Sequence, residues 1–299
     1  MSRIYNYVIA ANDTDATLKL AATAICDGTN DQVEINAAIS AAVGVTSSIL
    51  LLPGTYSLGA AIDFTPLTAA NAKWLLFEAS DTFIQAGANL TTMVDMAPGA
   101  GGQIVTCLDA RFGVLSGNKA SYTVTQIIKM ARFSDNRLRV NELLDGSAHA
   151  LSIQTAGVSD YPTGNNQLEF NTIRSNGGTG IHMTCDTNSY GFTGNVVRFG
   201  QIIDNDNGII LGTAVNQNAV LNTFLGSVIE WNTGYGIFDY CGGNFFYVNN
   251  TNANGINGIG SPSGMTYPST FNVNIDDGAD ATVTSQHWVL SYGRLIGQS

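Results

Sequence analysis

At 299 residues, 44% apolar but only 12% charged, the chain draws its polarity from neutral side chains, with 29 Asn and 33 Gly beside 6 Pro. That balance excludes a helical bundle, which needs Glu, Lys, Arg and Leu in quantity, and favours short strands joined by turns where Asn and Gly accept φ > 0. A net charge of −11 with 12 basic residues excludes phosphate-rich partners, so no nucleic acid is expected.

In chain order, "MSRIYNYVIAANDTDATLK" carries one early Arg and a short apolar run at residues 7–11, ended by Asn12 and Asp13. This is no secretory signal, and no later apolar run is long enough to cross a bilayer, so no membrane partner is expected. The expectation is a chain made in the cytoplasm without a signal peptide. Cys26, Cys107, Cys185 and Cys241 lie far apart, with no C-x-x-C and no zinc-like His spacing. They read as small buried apolar residues.

"CDGTNDQVEINAAI" (residues 26–39) has Asn30 or Asp31 as helix cap and Glu34 three residues after Asp31, the arrangement of a capping box. Ile35, Ala38, Ile39 and Ala42 then follow at helical spacing, predicting an amphipathic helix near residues 32–43 that ends at Gly44. "SSILLLPGTYSL" reads as a buried strand, a Pro-Gly turn and a second strand. A short helix ahead of a β-rich chain fits as a lid over an open strand edge.

From "DGTNDQVEINAAI" to "LLPGTYSL", over about residues 20–60, the chain resembles the entry segment of pectate-lyase-like right-handed parallel β-helices. The resemblance implies an all-β fold, a single-stranded right-handed parallel β-helix whose first coil the helix covers. The expected division is residues 1–44 as arm and capping helix, 45–255 as the β-helix, and 256–299 as a C-terminal cap or oligomerisation segment.

Between residues 64 and 167, "KWLLFEAS", "TFIQAG", "QIVTCLDARFGVL" and "YTVTQIIKMARF" read as strands. From residue 168 a repeat emerges in "NTIRSNGGTGIHMTC", "GQIIDNDNGIILGT" and "GSVIEWNTGYGIFDYC". Aligning Ile173, Ile203 and Ile229 places Asn176, Asp206 and Asn232 in one column, and the Gly-Ile pairs place Gly180, Gly208 and Gly236 in another. Asn at a turn can bond to its copy on the next coil while holding a left-handed bend, and glycine suits a corner where a Cβ would clash. The same register puts Cys185 and Cys241 two coils apart, about 9.6 Å at the usual strand spacing, too far for a disulfide. The tail "ATVTSQHWVLSYGRLIG" reads as strand ending in aromatics, suited to a cap or a contact between chains.

For chemistry, the alignment stacks Asp204 on Glu230, with Asp206 beside them and Arg174 one coil earlier. Asp204, Asp206 and Glu230 are therefore the candidate catalytic carboxylates should the chain hydrolyse or eliminate a glycosidic bond. Against catalysis, the Arg-x-Lys and Ser/Gly-His-Gly of the polygalacturonase-like branch are absent, and "DNDNG" lacks the acidic twelfth position of a calcium loop. His149, His182 and His287 show no metal-ligand spacing, and neither metal nor cofactor is expected. Trp231, Tyr235, Phe238 and Tyr240, with Tyr190 and Phe192 on an earlier loop, suit the faces of sugars; Trp231, Tyr235, Tyr240 and Tyr190 are the candidate ligand-binding residues.

The resemblance, with few charges and no signal, implies the setting of tailed-phage spike, fibre or capsid-decoration proteins. On that reading the chain is a structural or adhesive virion surface protein, forming a homotrimer, contacting other virion proteins and binding host cell-surface polysaccharide. The alternative is a hydrolase or lyase acting on acidic glycans.

Overall fold

The computed structural model describes residues 4–68, 70–71, 73–98, 104–154, 163–184, 191–213, 220–255, 259–260 and 269–275. Within them the protein is mostly β, built from parallel sheets with no closed barrel. The first sheet runs, neighbour to neighbour, through Ala24–Ile25, Tyr7–Ala10, Ser47–Leu51, Leu75–Ala86, Leu108–Ser116, Arg137–Leu144, Gln167–Arg174, Val196–Ile203, Thr223–Glu230, Phe245–Asn252 and Thr270–Ile275. Gly54–Leu58 also pairs with Leu75–Ala86. The second sheet is Ile62–Asp63, Leu90–Met96, Val124–Met130, His149–Gln154, Thr179–Thr184, Asn207–Leu211, Ile237–Asp239 and Ile259–Gly260. From Leu108 onward the chain alternates between these sheets, and short strands Thr163–Gly164 and Phe192–Thr193 pair separately.

Between the sheets lies one apolar core made of in-register columns. Leu138, Leu168, Val197, Phe224 and Phe246 stack on the first sheet, and Ile62, Val94, Ile128, Leu151, Ile181, Ile209, Ile237 and Ile259 on the second. All of these are buried. β-branched and aromatic side chains recur because each must pack on its copy in the neighbouring strands, where a pleated surface suits them.

The predicted helix forms over Gln32–Ala41 and buries Ile35, Ala38 and Ile39, with Ala42 just beyond. It packs against Ile62–Asp63, Tyr7–Ala10 and Gly54–Leu58. The capping box does not form: Asp31 makes no side-chain cap bond. Its carboxylate is fully buried and accepts from the backbone N–H groups of Gly28 at 2.8 Å and Ser57 at 2.7 Å. Asn30, at φ 56°, turns the chain so that this carboxylate ties the turn to the neighbouring strand instead of to its own helix. "KWLLFEAS" and "TFIQAG" fuse into one strand, Leu75–Ala86, with a register shift against its neighbour between Ala79 and Phe83.

The repeat is corrected by one residue on its middle copy. Ile173 pairs with Ile202, and Ile202 with Ile229, so Ile203 stands one place later. The turn column is therefore Asn176, Asn205, Asn232, and Asp206 lies outside it. Each Asn follows a residue in the left-handed region: Ser175 at φ 57°, Asp204 at 54° and Trp231 at 54°. The bend and the ladder, expected of the same Asn, are thus divided between two neighbouring residues.

The glycine column holds: Gly180, Gly208 and Gly236 are level on the second sheet. Cys26 and Cys241 are buried and Cys107 is half-buried. Cys185 and its expected distance from Cys241 lie outside the described residues, as do His287 and the tail from residue 276.

Two asparagine ladders run along the sheet corners. In one, the Nδ2 of Asn176, Asn205 and Asn232 each donates to the Oδ1 of the next Asn, at 2.9, 3.2 and 2.9 Å, ending on Asn254. In the other, Asn166, Asn195 and Asn222 do the same at 2.8, 2.9 and 2.9 Å, ending on Asn244. There Asp239, fully buried at the foot of a column otherwise made of Met96, Met130, Ile153, Met183 and Leu211, accepts from Asn244 Nδ2 at 3.0 Å and from Ser269 Oγ at 2.5 Å. Burial pushes its carboxyl up from the ordinary value while these donors, with the N–H groups of Cys241 and Gly242, pull it down.

Candidate functional site

Midway along strands such as Gln167–Arg174 two successive residues, Asn171 and Thr172, leave the core, a break in the alternation that marks a bend, and a groove of about 1050 Å³ runs across the strands there. One wall is a column of outward side chains. Glu78, Arg111, Arg139, Glu169, Arg198, Leu225 and Tyr247 stand level on successive strands. The opposite side, beyond the bend, carries Asn141, Asn171, Gly200, Ser227 and Asn249. Phe112, Val140, Phe170 and Phe199, almost fully buried, form the floor between. From Arg111 to Tyr247 the groove crosses six strands, a length of about 24 Å at the usual ~4.8 Å spacing.

This column concentrates cations in an otherwise acidic protein. Three of its 12 basic residues line the groove, against the two acids Asp81 and Glu169 among the lining side chains. The three are unequally satisfied. Arg111 is gripped by Asp109, at 3.4 Å to Nε and 3.3 Å to Nη2, and by Glu78 at 3.3 Å. These contacts hold its guanidinium above the usual range. Arg139 donates from Nε to Glu169 Oε2 at 2.8 Å. Arg198 reaches the other Glu169 oxygen only at 4.0 Å, and its side chain is 49% exposed. Such exposed pairs add at most about 1 kcal/mol each, so they fix side-chain direction more than they hold the fold.

The expected catalytic carboxylates are not brought together. The residue level with Glu230 is Ile203, and Ile203 is level with Arg174. Asp204 instead occupies the left-handed turn position that Trp231 occupies on the next strand pair. Asp206 is exposed, with Thr233 Oγ1 at 3.4 Å from its Oδ1. Arg174 donates to Glu142, not to either acid. None of Asp204, Asp206 and Glu230 is among the residues that line the groove.

Of the expected ligand-binding aromatics, Tyr235, Phe238 and Tyr240 do meet, with ring centroids 4.5 Å apart in each neighbouring pair and interplanar angles of 59° and 47°. They stand at the second sheet, away from the groove. Trp231 is exposed on the turn between, Phe192 is fully buried, and Tyr190 lies outside the described residues. Sequence reading passed over Arg111, Arg139, Glu169, Arg198 and Tyr247. Among the described residues no group of three His, Cys, Asp or Glu side chains could hold a metal ion.

The second sheet also carries a stacked histidine pair. His149 and His182 lie with ring centroids 4.1 Å apart at 13°, and the N–H of Thr179 donates to His149 Nδ1 at 3.2 Å. Burial lowers both imidazoles, His182 to about 4 from 6.5 with the neighbouring His149 as a further cause; at His149, Asp206 opposes the burial. The unfolded chain thus takes up protons that the folded chain refuses. The His182 contribution is complete above about pH 6.5 and is lost as pH falls through the window down to about 4, on the order of 3 kcal/mol. Urea unfolding across this range is expected to show that acid limb, and His182→Gln to flatten it; an equal limb in the variant contradicts the assignment.

Comparison of the chain with family models, with curated proteins and with solved structures finds no match.

Proposed function

We propose that the protein is a single-stranded right-handed parallel β-helix, covered at its N-terminal end by the helix Gln32–Ala41, that holds an extended glycan in the groove without cleaving it. Alternation of the chain between two parallel sheets supports the solenoid, and the strong preference of parallel crossovers for one hand supports its handedness. The observation that carries the functional reading is the column Arg111–Arg139–Glu169–Arg198–Leu225–Tyr247 along a groove edged with Asn and Ser. Neutral amides and hydroxyls offer donors and acceptors matched to sugar hydroxyls, and a Tyr on a rigid sheet offers a ring face. A site on paired strands needs no ordering on binding, which favours a long ligand that must be met at many points.

Cleavage needs two carboxylates flanking one bond. Of the two carboxylates that line the groove, Glu169 turns both oxygens to arginines, and Asp81 stands three strands away, about 14 Å at the usual ~4.8 Å spacing and beyond the roughly 5–9.5 Å of a hydrolytic pair; Asp204, Asp206 and Glu230 stand away from the groove. Binding without cleavage asks only for what the groove already has. The setting we propose is a virion surface, as a homotrimeric spike, fibre or decoration protein that adheres to host polysaccharide; the resemblance of residues 20–60 and the scarcity of charge support it.

Isothermal titration with glycan oligosaccharides tests the reading. Arg139→Gln combined with Tyr247→Ala is expected to weaken binding at least about tenfold while leaving the unfolding midpoint nearly unchanged, since both side chains are at the surface. Release of new reducing ends or unsaturated sugars during the titration would refute binding without cleavage.

A further inference from the structure

The charges along the groove are distributed unevenly. On the N-terminal strands each cation is spent on protein acids: Arg111 on Asp109 and Glu78, Arg139 on Glu169. On the C-terminal strands the lining residues Leu225, Gly226, Ser227, Tyr247 and Asn249 carry no charge at all. Arg198 stands at the boundary. It is the most exposed arginine of the column, and its nearest acid oxygen is 4.0 Å away and already shares its carboxylate with Arg139.

Building on the groove reading above, we infer that the ligand is a sparsely charged glycan whose anionic groups are separated by neutral sugar: Arg198 takes one such group, and the neutral sugar that follows lies over Leu225 toward Tyr247. A guanidinium binds a carboxylate in two-point fashion, so an exposed Arg with a loosely held partner is the place in this groove where an incoming anion gains most. Tyr247 is two strands further on, about 9.6 Å, and 43% exposed, so a ring can cover it while the anion is held.

A glycan charged on every sugar fits this groove poorly. Its next carboxylates would fall beside Glu169 in one direction and over Leu225 in the other, and no lining cation meets them at either place. Unpaired and like-sign charges at such a surface are a means of rejecting wrong partners. Arg198 is thus the specificity residue for the anionic group, and the neutral strands beyond it set how far apart such groups must be.

The experiment measures titration of the intact protein with size-matched oligosaccharides of three probes. These are hyaluronan, in which uronate alternates with a neutral sugar; polygalacturonate, charged on every sugar; and dextran, which is uncharged. Hyaluronan is expected to bind most tightly. Arg198→Gln should lower its affinity about tenfold, Arg198→Lys should restore part of it, and dextran should bind equally to wild type and variant. The hyaluronan preference should also shrink as salt is raised. Polygalacturonate binding more tightly than hyaluronan, or hyaluronan binding unchanged in Arg198→Gln, overturns the inference but leaves the groove reading in place. Binding of none of the three overturns the groove reading itself. Tyr247→Ala, distant from the charge, is expected to weaken hyaluronan and dextran alike.

Discussion

Asn222→Ala is expected to lower the unfolding free energy by about 3 kcal/mol or more, a large fraction of the stability of an ordinary domain. Asn222 is fully buried and has four polar partners. Its Oδ1 accepts from the backbone N–H of Asn195 at 3.1 Å and from Asn195 Nδ2 at 2.9 Å. Its Nδ2 donates to the Phe192 carbonyl at 2.8 Å and to Asn244 Oδ1 at 2.9 Å. Alanine takes these partners from the buried Asn195 N–H and the Phe192 carbonyl, while Asn195 Nδ2 keeps the Thr163 and Thr193 carbonyls and Asn244 Oδ1 keeps the backbone N–H of residue 222; each group left dry costs about 1–3 kcal/mol, less whatever relaxation or an entering water recovers. Asn171→Ala is the matching control. Its Nδ2 reaches Asn141 Oδ1 at 3.3 Å on the exposed edge of the groove, where water replaces the lost bond, and the expected change is within about 0.5 kcal/mol. Equilibrium denaturation of the two variants side by side measures the difference; equal costs would show that the ladder is no more than decoration.

Gly208→Val has the second largest expected effect. A Cβ on Gly208 would lie 2.3 Å from the Gly236 carbonyl oxygen and 2.7 Å from Ile229 Cγ2. Backbone cannot rotate away as a side chain can, so two paired strands must part or the corner must open, at about 1–3 kcal/mol for the overpacking and more for any ladder bond broken. Gly44→Ala, by contrast, adds its Cβ into open space, and its cost is only the strain of φ 79° in a residue with a side chain. Thermal melts should therefore rank Gly208→Val well below Gly44→Ala. The reverse order would remove Gly180, Gly208 and Gly236 from one edge of the sheet.

What could be read from the sequence follows from the range of the interactions involved. The helix was legible because Ile35, Ala38, Ile39 and Ala42 repeat within a dozen residues. The glycine column was legible because each Gly precedes an inward Ile, and both are fixed by the same corner. Asp31 misled because a cap bond is local, whereas its buried carboxylate serves Ser57, 26 residues away. The slip that placed Asp206 on the asparagine ladder came from matching "QIID" to "NTIR" by the wrong Ile of the pair at 202 and 203. In a strand such an error exchanges the two faces, and it carried Asp204 onto Glu230.

The groove was missed for a different reason. Arg111, Arg139, Glu169 and Arg198 are 28, 30 and 29 residues apart, and their signs do not repeat, so no charge motif marks them. The signal lies in what surrounds them. "ARFGVL", "LRVNEL", "LEFNTI", "VRFGQI" and "FYVNNT" share an outward residue between two buried ones, then a small or amide residue at the bend, and "FLGSVI" follows them with a half-buried Gly226 at the second inward place. Aligning on that bend, instead of on the turn asparagines, brings the whole column into line.

That column is the claim on which the binding site depends, and engineered crosslinks test it most directly. Level residues on adjacent parallel strands have Cα atoms about 4.8 Å apart, inside the range of about 4.4–6.8 Å that a disulfide spans; residues two strands apart are at about 9.6 Å, outside it. Under mild oxidation, with linkages mapped by mass spectrometry, the double variant Arg139→Cys, Glu169→Cys is expected to form an intramolecular bond between the two new thiols, and Arg139→Cys, Arg198→Cys to form none. A bond between positions 139 and 198 with none between 139 and 169 would contradict the register, and the groove would have to be rebuilt from other residues.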